Sequence, residues 1–137
     1  MPASTLDAVA DHRLRKHADY QRVYRDGRKN FSASMSYFYA LRPANSLVAR
    51  GPRIGLTAGK VLGKAVERNR IKRRMRDIVR RNKTLVRADV DIVLHPRRTV
   101  LAIEFARLES EVVRIFTTIQ VAIEKSGAKP KASQVTP

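Results

Sequence analysis

The 137-residue chain has no cysteine and no tryptophan, and only 12 of its residues are acidic. Without cysteine there can be no disulfide, no thiolate nucleophile and no thiolate zinc site. Histidine is scarce: His12, His17 and His95 are scattered, and none has the short spacing of a metal-binding pair. No apolar run approaches the roughly 18 residues of a membrane span. The opening stretch MPASTLDAVADHRLRK lacks the continuous apolar segment of a signal peptide, and no lipidation motif is visible. These absences point to a cytoplasmic protein without a membrane partner. A phosphate loop is missing too. Gly55, Gly59 and Gly63 are separated by three residues rather than four, and Val61 or Ala65 follows the lysine where Ser or Thr is needed. No catalytic side-chain constellation and no protein metal site are expected.

What is abundant is positive charge. There are 29 Lys and Arg against the 12 acids, a formal net charge of +17. Self-repulsion on that scale opposes compactness unless a partner neutralises it, and nucleic acid is the partner that fits. The charge peaks between Lys60 and Lys83, where 11 basic residues face only Glu67 and Asp77. Within that run Ile71, Met75, Ile78 and Val79 fall at i, i+4, i+7 and i+8, the apolar stripe of a helix. Arg70, Arg73, Arg74, Arg76, Arg80 and Arg81 take the other faces. A helix buried on one side and cationic elsewhere suits a polyanion with regularly spaced phosphates. Glu67 and Asp77 are read as orienting neighbouring arginines.

Periodicity predicts a short helix over His17–Asp26, stopped by Gly27. Strands are predicted at Ser36–Arg42, Arg53–Ala58 and Val90–Leu94, with the turn-rich loop PANSLVARGP as a hairpin connection between the first two. The basic helix begins between Lys64 and Arg70 and ends near Asn82. A second long helix runs from about Ile103 to Glu124, burying Phe105, Leu108, Val112, Ile115, Phe116, Ile119 and Ile123. Residues 1–12 read as a flexible N-terminus, 13–125 as one domain, and 126–137 as a disordered tail. The fold class expected is α+β: a two-layer sandwich whose small central sheet is covered by helices, with the basic helix crossing between neighbouring strands.

Two features stay open on the residues alone. Gly63 and the first turn of the basic helix either offer N–H groups to a phosphate or make a simple turn. The aromatic residues Tyr20, Tyr24, Phe31, Tyr37, Phe38 and Tyr39 either pack in the core or stack on unpaired bases. For Tyr20 and Tyr24, the surrounding Arg13, Arg15, Lys16, Arg22, Arg25 and Arg28 favour a single-strand track. Asp89 and Asp91 form a D-x-D that could hold Mg²⁺, although such pairs are more often solvated or ion-paired.

The segment RIGLTAGKVLGKAVERNRIKRRMRDIVR (residues 53–80) resembles the signature of the bacterial ribonuclease P protein family. The likeness lies in an Arg-Ile-Gly strand, a Gly-Lys-Ala-Val turn, then Arg-Asn-Arg and a run of cations. RLRKHADYQRVYRDGR (residues 13–28) resembles that family's first helix, and the likeness extends over roughly residues 13–120. It implies the protein subunit of a ribozyme whose RNA performs Mg²⁺-dependent removal of the 5′ leader from precursor tRNA, with the magnesium bound mainly by RNA. It further implies that Arg68, Asn69, Arg70, Lys72, Arg73, Arg74 and Arg76, with Lys60 and Lys64, bind the catalytic RNA. The leader would lie against Tyr20, Tyr24 and, more weakly, Tyr39, flanked by Arg13 and Lys16. The partners implied are the ribonuclease P RNA and precursor tRNA, not DNA, with a monomeric protein in a 1:1 particle. The crossover through the basic helix would be left-handed. One departure stands out: Gly59-Lys60-Val61 replaces the family's usual Ser-Lys-Lys, lacking one hydroxyl and one cation. A ribosomal or chaperone-like RNA-binding protein is the alternative reading, and a protein-only nuclease using Asp89 and Asp91 a third.

Overall fold

A computed structural model describes residues 13–43 and 50–126. The expectations for residues 1–12 and for the tail from residue 127 onward lie outside the described residues, as does most of the loop that was expected to close a hairpin. Helix α1 spans His17–Asp26, followed by strands β1 (Arg28–Phe31), β2 (Met35–Leu41) and β3 (Arg53–Leu56). Helix α2 is Ala65–Asn82, strand β4 is Val90–Pro96, and helix α3 is Phe105–Lys125. The long helices sit where their 3.6-residue patterns placed them.

The strand order is β1-β2-β4-β3. β4 pairs antiparallel with β2 and parallel with β3. The expected β2–β3 hairpin is therefore incorrect, because β4 lies between the two. Strand β1, which was not predicted, forms the real hairpin with β2. Its sequence, RKNF, is exposed at every position, so no alternation marks it; charge on an edge strand discourages pairing with another chain. The turn of this hairpin is tied down from the side. Glu111 of α3 accepts hydrogen bonds from the Ser34 amide at 2.8 Å, the Ser34 hydroxyl at 2.5 Å and the Ser32 hydroxyl.

Alternation gives the sheet two distinct faces. On the back, Met35, Tyr37, Ile54, Ile92 and Leu94 pack against Ile71, Met75 and Ile78 of α2 and against Leu108, Val112, Phe116 and Ile119 of α3. Each fully buried aliphatic there contributes about 1.5–3 kcal/mol. On the front, the smaller set Leu14, Val23, Ala40 and Val93 seats α1 over part of the sheet. The architecture is the expected α+β sandwich: the two long helices form one layer, and α1 leaves the rest of the front face open.

The front face also carries the sheet's one buried acid. Asp91 on β4 is fully buried and is reached by three guanidinium groups: Arg22 of α1 at 2.6 Å, Arg42 after β2 at 2.8 Å, and Arg53 of β3 at 2.8 and 2.9 Å. Asp19 adds a second acid to Arg53 at 3.4 Å. Burial pushes the Asp91 carboxyl up, but its bonds to Arg53, Arg42 and Arg22 outweigh burial and hold it below the usual carboxylate range.

A depressed carboxylate stabilises the fold above its unfolded pKa and loses that contribution as pH falls through the folded value. Asp91→Asn should cost about 3 kcal/mol near neutrality, because three cations lose their buried counter-charge. The gap to the parent protein should close below about pH 4. Urea melts at neutral and acid pH check both, and a gap constant across that range would contradict the assignment.

Candidate RNA-binding surfaces

Helix α2 forms because its 18 residues contain no Gly or Pro and are mostly strong helix formers. It starts after Gly63, whose φ of +119° suits glycine and which has no room for a Cβ between Arg98 and Glu67. Glu67 accepts from the Lys64 amide at 3.0 Å and forms a two-pronged pair with Arg98 at 2.8 and 2.9 Å. Those partners, Arg98 first and then Lys64, lower the Glu67 pKa to about 2. The chain's own carboxylate thus occupies the first turn, and of the two readings of Gly63 the geometry fits the turn.

Along the outer side of the helix, Asn69, Arg70, Arg73 and Arg76 are exposed and Lys72 is half-buried. Together with Arg74, Asp77, Arg80 and Phe105 they line an open groove of about 730 Å³. Asp77 pairs with Arg80 at 2.5 Å, and Arg81 reaches Asp77 at 3.8 Å and Glu109 at 3.4 Å. Arg70, Lys72, Arg73 and Arg76 have no acidic partner among the described residues. Arg70, Arg73 and Arg76, about one helical turn apart on a rigid rod with Lys72 alongside, are positioned for phosphates.

Arg74 lines the same groove but is also engaged within the fold. Its guanidinium donates to the carbonyls of Val100 at 2.6 Å, Leu101 at 3.2 Å and Ile103, and it lies over the Phe105 ring at 5.9 Å. It fastens α2 to the segment entering α3, a tie that Arg70, Lys72, Arg73 and Arg76 do not share. Arg68 is half-buried with its Nε out of solvent and without a hydrogen-bond partner, while Lys60 and Lys64 are exposed beside Gly63.

The second surface is the open part of the front face. Tyr20 and Tyr24 stand edge to face with centroids 6.5 Å apart, and Tyr24 meets Phe38 at 5.0 Å. Tyr20 lies flat over Gly55, where any Cβ would be 2.4 Å from its hydroxyl, and donates to the Leu14 carbonyl at 3.1 Å. Phe31 is 65% exposed at the far rim, with the Lys29 ammonium 5.0 Å from its centroid and 5.4 Å from that of Phe38. The result is a cleft with an aromatic floor and a cationic lip. Tyr39 is not in it. Its register partner is Ile92 and it packs with the back-face core, whereas Phe38 pairs with Val93 on the front. Sequence alternation separated Phe38 from Tyr37 and Tyr39, but did not say which side faces outward. Phe31 was among the aromatic candidates, but Lys29 was missed because β1 itself was missed.

Arg13 and Lys16 are exposed on the segment that runs beside β3, joined to it by the Leu14–Ile54 hydrogen bond of 3.0 Å. Burial raises the pKa of the Tyr20 hydroxyl, while the charges of Arg76 and Arg13 pull the other way. Arg76 of α2 is therefore within electrostatic reach of the cleft, and the two surfaces meet around the β3 edge. Asp89 and Asp91 do not suit Mg²⁺: Asp91 is saturated by guanidinium groups, and Asp89 binds the Gly51 amide at 2.6 Å. No helix among the described residues is long and apolar enough to cross a membrane.

A small α+β protein with a cationic helix face and an adjoining aromatic cleft is built as a polyanion-binding protein. Comparison with known sequences narrows this. The Ribonuclease P family pattern matches residues 9–120, and the chain belongs to that family. It is 32% identical over 120 residues to the ribonuclease P protein component of Dictyoglomus thermophilum, covering 86% of this chain and 90% of that one. The Finegoldia magna protein component is 36% identical over 103 residues, covering 75% and 86%. The RNase P protein of Staphylococcus aureus superposes with a TM-score of 0.65 at 25% identity, over 79% of this chain and 94% of that one. The Thermotoga maritima protein shares the fold, with a TM-score of 0.67 at 24% identity over 77% and 96%.

The division within α2 can be tested directly. Arg74→Ala should destabilise the fold by about 1–3 kcal/mol, since buried carbonyls lose a charged donor. Arg73→Ala should leave stability within about 0.5 kcal/mol of the parent. Thermal or urea melts of the two variants decide it, and equal losses would refute the distinction.

Proposed function

We propose that this chain acts as the protein subunit of ribonuclease P in the cytoplasm, assisting removal of the 5′ leader from precursor tRNA. The observation that carries this reading is the row of cations without acidic partners on α2, beside a front-face cleft of aromatic rings edged by Lys29. Arg70, Lys72, Arg73 and Arg76, with Arg68, Asn69, Lys60 and Lys64 alongside, bind the catalytic RNA. Tyr20, Tyr24 and Phe38 take the unpaired leader, with Lys29, Arg13 and Lys16 beside its phosphates.

On this reading the chemistry is assigned to the RNA subunit; among the described residues no side chains are arranged for nucleophilic or acid–base work. Mg²⁺ is assigned to the RNA as well, since Asp89 is engaged with the Gly51 amide and Asp91 with three guanidinium groups. Positive charge between two RNAs offsets their mutual repulsion, so the protein matters most where free magnesium is scarce. On the same reading there is one protein per catalytic RNA.

Cleavage of a 5′-extended precursor tRNA at low Mg²⁺, by the cognate catalytic RNA with and without this protein, tests the reading. A large gain yielding mature 5′ ends is expected, whereas tight RNA binding without gain would leave a general RNA-binding protein. If about 6 phosphates are neutralised, the log–log salt slope of RNA affinity should be near −5, shallower by about one in Arg70→Ala or Arg73→Ala. Tyr20→Ala should weaken binding of leader-bearing precursor more than of mature tRNA, and equal weakening would reduce Tyr20 to a packing residue.

A further inference from the structure

The aromatic cleft contains a hydrogen-bonding atom with nothing to bond. His95 rises from β4 onto the front face, its ring 5.6 Å from Tyr24 and 5.2 Å from Phe38. Its Nδ1 lies 2.7 Å from the Thr57 hydroxyl, which fixes the plane of the ring. Its Nε2 is buried without a partner among the described residues. Such atoms are rare in folded proteins because an unmet hydrogen bond is costly, and a ligand that supplies the partner is favoured accordingly.

Two further features point to a nucleobase as that ligand. The first is the cover. Tyr20 is anchored through its hydroxyl, but Tyr24 makes only ring contacts among the described residues, so it can swing aside without breaking a hydrogen bond. The second is charge. The groups packed around His95 are Tyr24 from α1, Lys29 from β1, Phe38 from β2 and Thr57 after β3; burial first, then the Lys29 charge, holds the imidazole below its ordinary pKa. A neutral ring with one nitrogen committed to Thr57 has a single directional hydrogen bond left. That suits a base edge, whereas a phosphate would call for a cation.

We propose that His95 is a specificity-determining residue of this cleft: its Nε2 hydrogen-bonds the edge of one unpaired RNA base that displaces Tyr24 and stacks on Phe38. Thr57 sets the ring's orientation and thereby which edge is read. The proposal rests on the leader reading above and adds to it a preference for base identity at one position.

The test uses the full chain assembled with its catalytic RNA and precursor tRNAs carrying each of the four bases at every unpaired leader position in turn. Competitive cleavage gives relative kcat/KM. The parent particle should show one position at which bases differ by about three- to tenfold. His95→Phe, which keeps the ring but removes both nitrogens, should flatten that position while the others hold. His95→Gln, whose amide reaches about as far as Nε2, should keep part of the preference. A preference that survives His95→Phe, or that is absent from the parent particle, overturns the proposal; so does a loss spread equally over all positions, which would mark His95 as packing only. Binding of leader-bearing against leaderless tRNA is scored separately. If the parent particle fails to distinguish those two, it is the leader reading that falls.

Discussion

The cleft exists because Asp91 is ionised inside the protein. One carboxylate on the central part of the sheet collects Arg22 from α1, Arg42 from the end of β2 and Arg53 from β3. Those three guanidiniums would otherwise repel one another across the front face. Drawn to a common anion, they clamp α1 against the sheet at one end, and the front-face core of only four buried residues completes the seat. The aromatic side chains of α1 then overhang the uncovered strands, and that overhang is the cleft. Buried ion clusters can be replaced by apolar side chains without loss of stability, but nothing apolar would hold α1 at this angle from three elements at once.

The same arithmetic of few acids and many bases runs through the molecule. With 12 acids for 29 bases, several carboxylates each organise more than one cation or a turn. Glu67 closes the start of α2 onto Arg98, and Asp77 with Glu109 quiets the C-terminal arginines of α2. Glu111 holds the β1–β2 turn. Among the cations these acids leave unpaired, Arg70, Lys72, Arg73 and Arg76 share the outer face of α2. Repulsion along that face is relieved where a polyanion binds.

Adjacent residues of one type carry different duties here. Arg73 points to solvent, while Arg74, one step of about 100° around the helix, turns back onto three carbonyls and is part of the framework. Tyr39 and Phe38 divide in the same manner across the pleat of β2. In both cases the neighbouring element, not the residue type, decides whether the side chain is available to a ligand.

The long helices were legible from sequence because burial on one side of a helix imposes a 3.6-residue rhythm that is local: Ile71, Met75 and Ile78, or Leu108 through Ile123, announce their own face. The cationic face of α2 was legible for the same reason, being whatever the stripe left over, and the motif resemblance pointed to the family that the comparisons then showed. Strand order was not legible, since pairing β4 between β2 and β3 is a non-local choice that no single segment encodes. β1 escaped notice because an exposed, charged edge strand has no alternation to read. The fate of Arg74, the inward turn of Tyr39, the three-arginine grip on Asp91 and the stranded Nε2 of His95 all depend on which atoms the tertiary fold brings within hydrogen-bonding distance. Sequence by itself determined the elements and the sign of the surface; the packing of the sheet against its helices decided which of those charges and rings remain free to meet RNA.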